Sequence, residues 1–175
     1  MLRGMTESRR AIRRACAEDA SELTRVAFAA KRHWGYDESL IELWRRDLTV
    51  APDAVERDPV YCATAGEAIL GFYGLTREGD VFELDHLWVD PPQMGAGVGA
   101  ALLRHAVATA SSLGGSVLRI ASDPNAEAFY RRMGARRVGE VASTPPGRTL
   151  PVLEIELAAA SDPVRRSGVR RSRSE

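Results

Sequence analysis

The chain has 175 residues, 45% of them hydrophobic and 27% charged. That is enough for one domain with a well-buried core, and too apolar for a chain that stays unfolded. The 24 basic side chains balance the 24 acidic ones, which excludes the basic surplus of a dedicated nucleic-acid binder.

The balance is uneven along the chain. Within residues 158–175, Arg165, Arg166, Arg170, Arg171 and Arg173 outnumber Asp162 and Glu175, so the body is mildly acidic and the tail basic. A solvated, disordered tail is expected there, not a nucleic-acid site. Lys31 is the one lysine among the 24 basic residues, which reads as an arginine-rich coding bias. Cys16 and Cys62 form no disulfide framework and no metal-ligand spacing, so a reducing cytoplasm and no metal are expected. No apolar run approaches the roughly 20 residues that span a bilayer, and no membrane partner is expected. The arginine-rich start lacks the apolar stretch of a secretory signal.

Residues 1–9 read as a flexible leader and residues 10–157 as the folded unit. A strand is expected at Ala11–Ala15. Leu23, Val26, Ala27 and Ala30 then recur at helical spacing over Asp19–Arg32, with Glu18 and Asp19 suiting the dipole of the first turn. His33-Trp34-Gly35-Tyr36 breaks that helix, and a second is expected over Glu38–Leu48. Strand signals follow at Val60–Ala63, Ala68–Thr76 and Val81–Val89, with a turn at Arg77–Asp80. A strong helix spans Gly97–Leu113, with Val98, Leu102, Leu103, Ala106 and Ala110 on one face. Gly114-Gly115 closes it. A strand at Ser116–Ala121, a short helix at Glu127–Met133, and strands at Arg136–Val141 and Leu150–Leu157 complete the order. The class is α+β, a mixed sheet without regular βα alternation.

The richest segment runs from Val89 through Asp90-Pro91-Pro92-Gln93-Met94-Gly95-Ala96-Gly97-Val98-Gly99-Ala100. It joins a strand to a helix through three alternating glycines. Glycines let backbone N–H groups approach an anion, and a helix start adds unpaired donors and partial positive charge. A P-loop would need Lys and Ser or Thr after the last glycine, where this chain has Ala100-Ala101. A dinucleotide turn would sit in the first βαβ unit with an acid about 20 residues on. Here the turn follows a meander, and Asp123 lies too far along.

Strand, Val-x-Pro, G-x-G-x-G and a helix with paired leucines resemble the acyl-CoA segment of the GNAT superfamily of N-acetyltransferases. Gly97 and Gly99 match the glycines of the family's Q/R-x-x-G-x-G/A motif, and Met94 stands at its Q/R position. Asp123-Pro124-Asn125-Ala126-Glu127-Ala128-Phe129-Tyr130 through Gly134-Ala135 resembles a second family segment, N-x-x-A-x-x-F-Y-x-x-x-G-F, with a shorter interval from Asn125 to Tyr130. The resemblance is strongest over residues 69–140.

It implies a mostly antiparallel sheet of six or seven strands flanked by about four helices. It implies acetyl-CoA as co-substrate, bound by Leu87, Trp88, Val89, Met94, Gly95, Ala96, Gly97, Val98, Gly99, Ala100, Asn125 and Tyr130. It implies an amine acceptor beside His33, Trp34, Tyr36 and His86, and a homodimer, as in many relatives. Arg148 reads as a solvated loop residue that could also meet an acidic acceptor.

An alkyl ammonium has a pKa near ~10 and must lose a proton before it attacks a thioester. Direct transfer in a ternary complex needs no protein nucleophile, because holding both substrates in line supplies much of the rate. Tyr130 matches the family tyrosine that protonates the leaving thiolate. Glu83, Asp85 and His86, on the strand entering the glycine turn, are candidate bases, with Glu83 first and Asp85 second. Alternation puts Glu83 and Asp85 on one face and His86 on the other unless a bulge intervenes. A non-catalytic acyl-CoA-binding module is the alternative; it would keep the glycine turn without needing Tyr130.

Overall fold

A computed structural model describes residues 9–158. Apart from Arg9 and Ala158, the expected leader and basic tail lie outside the described residues. The elements in chain order are β1 (Arg10–Arg14), α1 (Ala20–His33), α2 (Glu38–Leu43), α3 (Arg45–Leu48), α4 (Pro52–Arg57), β2 (Val60–Ala65), β3 (Ala68–Glu78), β4 (Val81–Val89), α5 (Val98–Ser112), β5 (Val117–Ala121), α6 (Glu127–Arg132), β6 (Arg136–Ser143) and β7 (Arg148–Glu156).

Among the described residues there are six helices, where the sequence suggests about four. The segment expected as one helix over 38–48 breaks at Trp44. That ring turns inward to 4% exposure, and its Nε1 donates to the Thr144 carbonyl at 2.8 Å. Leu43, the residue before the break, is 57% exposed. Helix α4 carries too short an apolar pattern to be read. Its start is set by Pro52 in the first turn, where a missing N–H costs nothing.

The seven strands form one sheet in the order β1-β2-β3-β4-β5-β7-β6. Every pair is antiparallel except β4 with β5. The parallel pair is short: only Val81, Phe82 and Glu83 face Val117, Leu118 and Arg119. Beyond that point β4 runs six further residues without β5 beside it.

Two apolar layers cover the sheet. On one face Leu102, Leu103, Ala106 and Ala110 of α5 pack with Tyr73, Leu75, Phe82, Leu118 and Tyr130. On the other, Leu23, Val26 and Ala27 of α1 pack with Ile41, Trp44, Val55 and Phe72. A continuous sheet buried on both faces explains the apolar run of β3, whose Ile69 to Leu75 are all buried.

Gly71, within that run, is held to glycine by crowding. A Cβ there would stand 2.6 Å from the Trp88 carbonyl oxygen and 3.2 Å from Leu102 Cδ1. Gly71→Ala should therefore lower stability by about 2 kcal/mol, the usual scale for overpacking. The shift in the urea unfolding midpoint measures it; an unchanged midpoint would mean β4 yields freely at Trp88.

Candidate active site

A cavity of about 560 Å³ opens where β4 and β5 part. Its walls come from the far halves of β4 and β5, the glycine turn and α6. Leu87, Trp88, Val89, Met94, Gly95, Gly97, Gly99, Ala100, Asn125 and Tyr130 all line it. Two of the residues expected at the co-substrate do not. Val98 turns into the core at 3% exposure. Ala96 lies outside the lining, and its carbonyl accepts a hydrogen bond from Arg10 Nη1 at 2.8 Å.

The turn has the form a phosphate cradle needs. Gly95 and Gly97 adopt φ of +79° and +82°, where a side chain is strained. A Cβ at either would meet nothing within 4 Å, so the backbone is open on that side. Gly97 is the N-cap of α5 and no side chain caps the helix. The first-turn N–H groups of Val98, Gly99 and Ala100 are left for an anion. These features fit a pyrophosphate.

Strand β4 carries a bulge. Gly74 pairs with His86 and Leu75 with Leu84, so Asp85 is the extra residue. The bulge resets the alternation. Phe82 and Leu84 face the α5 layer before it, and Leu87 and Val89 face that layer after it. His86 and Trp88 thereby turn to the α1 side: His86 lies 5.6 Å from the Phe72 ring, and Trp88 packs on the α1 cluster.

The three candidate bases are consequently separated. Glu83 pairs with Arg119 at 3.1 Å and does not line the cavity. Asp85 does line it. Desolvation raises the carboxyl above the ordinary range; the Thr76 hydroxyl opposes it, and the Asp58 charge adds a smaller upward push. His86 lines a smaller cavity across the sheet. Burial lowers its pKa to about 4. Its Nδ1 accepts from Trp88 Nε1 at 3.1 Å, which selects the neutral ring protonated at Nε2.

Tyr130, on α6, is 6% exposed and lines the large cavity. Its hydroxyl has no hydrogen-bond partner among the described residues. Burial, and the Asp123 charge after it, push the phenol pKa up, so the proton is firmly held at neutral pH. Phe129 stacks edge-on beside it at 5.1 Å.

Residues 20–144 match the acetyltransferase (GNAT) domain family. The chain belongs to the GNAT acetyltransferase family. It is an acyltransferase with acetyl-CoA as its donor. Among its relatives is the peptidyl-lysine N-acetyltransferase YjaB of Salmonella typhimurium, 28% identical over 67% of this chain and 89% of that one. Similar solved structures include a GCN5-related N-acetyltransferase from Rhodopseudomonas palustris. It has a TM-score of 0.73 and 21% identity, covering 87% of this chain and 99% of that one. The PaiA N-acetyltransferase of Thermoplasma acidophilum, solved with coenzyme A, gives 0.68 and 22%, covering 85% and 99%.

One feature of this GNAT chain has no counterpart in the sequence reading. Lys31 Nζ lies 2.5 Å from Asp123 Oδ2, with both side chains under 10% exposed. The ammonium sits 4.4 Å from the Trp44 ring and 4.6 Å from Tyr36. Tyr36 donates to Asp123 at 3.0 Å and receives the Arg148 guanidinium at 3.2 Å. Burial opposes the charge of both Lys31 and Asp123. The Lys31 hydrogen bond, the Asn125 backbone N–H and Tyr36 still hold the Asp123 carboxyl below its usual range, while burial outweighs Asp123 at Lys31 and lowers the ammonium from its ordinary value. The cluster ties α1 and the segment after it to the end of β5 and the start of β7.

Tyr36 is thus committed inside the protein. His33 is exposed, and Trp34 lines the large cavity at 39% exposure. Arg148, expected as a solvated loop residue, instead opens β7 with its side chain 19% exposed and its guanidinium on Tyr36. Lys31 and Trp44 carried no motif, and only the solitary lysine hinted at a partner for Tyr36 and Arg148.

Two outcomes follow for this acetyltransferase. Asp123→Asn leaves the Lys31 charge buried without a counterion and should cost about 3 kcal/mol, read from urea unfolding. His86 should make stability fall with acid. The unfolded state takes up a proton below pH 6.5, and the folded state only near pH 4. Stability contributed by the neutral ring is complete above 6.5 and lost down to about 4, by about 3 kcal/mol. His86→Gln should flatten the fall in Tm between those pH values; parallel wild-type and variant profiles would exclude this role.

Proposed function

We propose that the unit spanning residues 10–157 transfers acetyl from acetyl-CoA to a primary amine by direct attack in a ternary complex. One observation carries the reading: the uncapped glycine turn, the Asp85 carboxylate and the Tyr130 hydroxyl all line one cavity. The N–H groups of the turn hold the pyrophosphate. The edge of β4 past Glu83, which has no β5 residues opposite it, offers backbone groups to the acyl arm.

Asp85 is the base in this reading, directly or through a water, because Glu83 is held by Arg119 outside the cavity. The raised pKa of Asp85 suits it to accept a proton. Asp85 takes one proton from the acceptor ammonium, and the neutral amine nitrogen attacks the thioester carbonyl. The carbon–sulfur bond breaks, and Tyr130 protonates the departing sulfur. The second proton of the new amide nitrogen resets Tyr130 through solvent. The products are an N-acetyl amine, the free CoA thiol and one proton. No cysteine is required: Cys62 is buried in the α1-side cluster with its thiol pushed up to about 11. Two free thiols also suit the reducing cytoplasm as its place of work.

Tyr130→Phe tests the assignment. The ring and its packing stay, and the only proton goes. With an amine found by screening, kcat should fall roughly 100-fold, while calorimetric affinity for acetyl-CoA stays within about twofold. A kcat near wild type across pH would remove Tyr130 as the acid.

A further inference from the structure

The glycine turn is held from outside by arginines. Arg10, the first residue of β1, donates from Nη1 to the Ala96 carbonyl at 2.8 Å. Its backbone is fixed at the sheet edge, paired with Ala65 of β2. Among the described residues no other side chain hydrogen-bonds the turn between Gln93 and Ala100. Arg25 of α1 reaches Asp90 Oδ1 at 3.2 Å and offsets the one carboxylate between Val89 and Ala100.

The Arg10 contact bears on a single peptide bond. Ala96 and Gly97 are joined in trans, so the Ala96 carbonyl and the Gly97 N–H point to opposite sides. Ala96 lies outside the cavity lining and Gly97 within it. A carbonyl held outward on Arg10 therefore aims the Gly97 N–H inward.

The local chain does not fix this orientation. The Gly97 carbonyl accepts from the Ala101 N–H at 3.0 Å, so the peptide before Gly97 is the first that α5 does not hold. Gly97 has no Cβ to confine its φ, and the peptide can turn over at little steric cost. Turned over, it presents a carbonyl oxygen to the cavity and breaks the run of N–H groups that suits an anion.

We propose that Arg10 is a positioning residue for the acyl donor: by holding the Ala96 carbonyl it keeps the Gly97 N–H in the cradle, and so favours a donor that carries a pyrophosphate. This deepens the reading in which the turn binds that group, and rests on it. Arg10 acts through the backbone and does not touch the reacting atoms. Its effect belongs to donor binding and not to the transfer step.

Two variants test this. Arg10→Met removes the donors, and Arg10→Lys keeps a cation able to serve one carbonyl. Arg10 is exposed, so both leave the core intact. The probes are acetyl-CoA, acetyl-CoA lacking its 3′-phosphate, and S-acetylpantetheine, which carries no phosphate. In calorimetry Arg10→Met should bind the first two about tenfold more weakly than the wild type, the scale of one hydrogen bond to a charged group. Its affinity for S-acetylpantetheine should not change. Arg10→Lys should recover the loss to within about threefold. With an amine found by screening, Arg10→Met should raise the KM for acetyl-CoA about tenfold and leave kcat within about twofold. In the free protein, the Gly97 amide NMR signal should shift and broaden in Arg10→Met, as its peptide samples two orientations, and return in Arg10→Lys.

Unchanged acetyl-CoA affinity in Arg10→Met, or an equal loss with S-acetylpantetheine, overturns the assignment. A loss that vanishes with the 3′-phosphate also overturns it, because Arg10 would then meet that phosphate directly. These outcomes leave the cradle standing as long as the wild type prefers acetyl-CoA to S-acetylpantetheine. A wild type that binds the two equally removes the cradle, and the role of Arg10 with it.

Discussion

A parallel strand pair that hydrogen-bonds over three residues and then separates leaves an open seam in a sheet that is otherwise continuous. In this protein that seam lies between β4 and β5. Past Glu83 and Arg119, the facing edges have no ladder to join, and buried backbone groups without partners are costly. The glycine turn, the Tyr130 hydroxyl and the Asp85 carboxylate all border the gap. The seam is also where the chain changes from the β1–β4 meander to the β5–β7–β6 group. α5, which crosses over from one to the other, starts at the turn that faces it.

The bulge at Asp85 works with the seam. Without it, β4 would keep a strict period of two, and Leu87 and Val89 would leave the α5 layer while His86 and Trp88 entered it. One inserted residue keeps apolar side chains inward on both halves of the strand. It also spends its own side chain on neither layer. A carboxylate at that residue escapes burial in a core and reaches two cavities instead. The proposed base is a product of a register shift, not of a motif.

Much of the fold was legible in the residues. The turn from Met94 to Ala100 and the period of α5 announce a strand, an anion cradle and a helix, because glycine spacing and 3.6-residue periodicity are local properties. The seven strands are legible for the same reason, through β-branched runs and turn residues. What stayed hidden is non-local. Alternation alone placed Glu83 beside Asp85 as the leading base, and only the pairing of Gly74 with His86 and Leu75 with Leu84 shows where the register slips. Trp44 splits its helix because its indole finds a carbonyl 100 residues away. Asp123 was weighed as a nucleotide-binding acid and found too distant. Its partners, Lys31 and Arg148, come from opposite ends of the chain.

The solitary lysine has a consequence for how this sequence can drift. Everywhere else in the chain, positive charge is supplied by arginine. At position 31 the cation lies beside both the Trp44 and Tyr36 rings, which meet edge-on, and still touches Asp123. A compact ammonium on a flexible stem does this, whereas a planar guanidinium is wider and rigid. The arginine-rich composition therefore has its one exception at a buried position where a compact ammonium reaches the carboxylate beside the Arg148 guanidinium. Across descendants of this chain, residue 31 should be where the compositional trend stops, and its neighbours at 36, 44, 123 and 148 should change together or not at all.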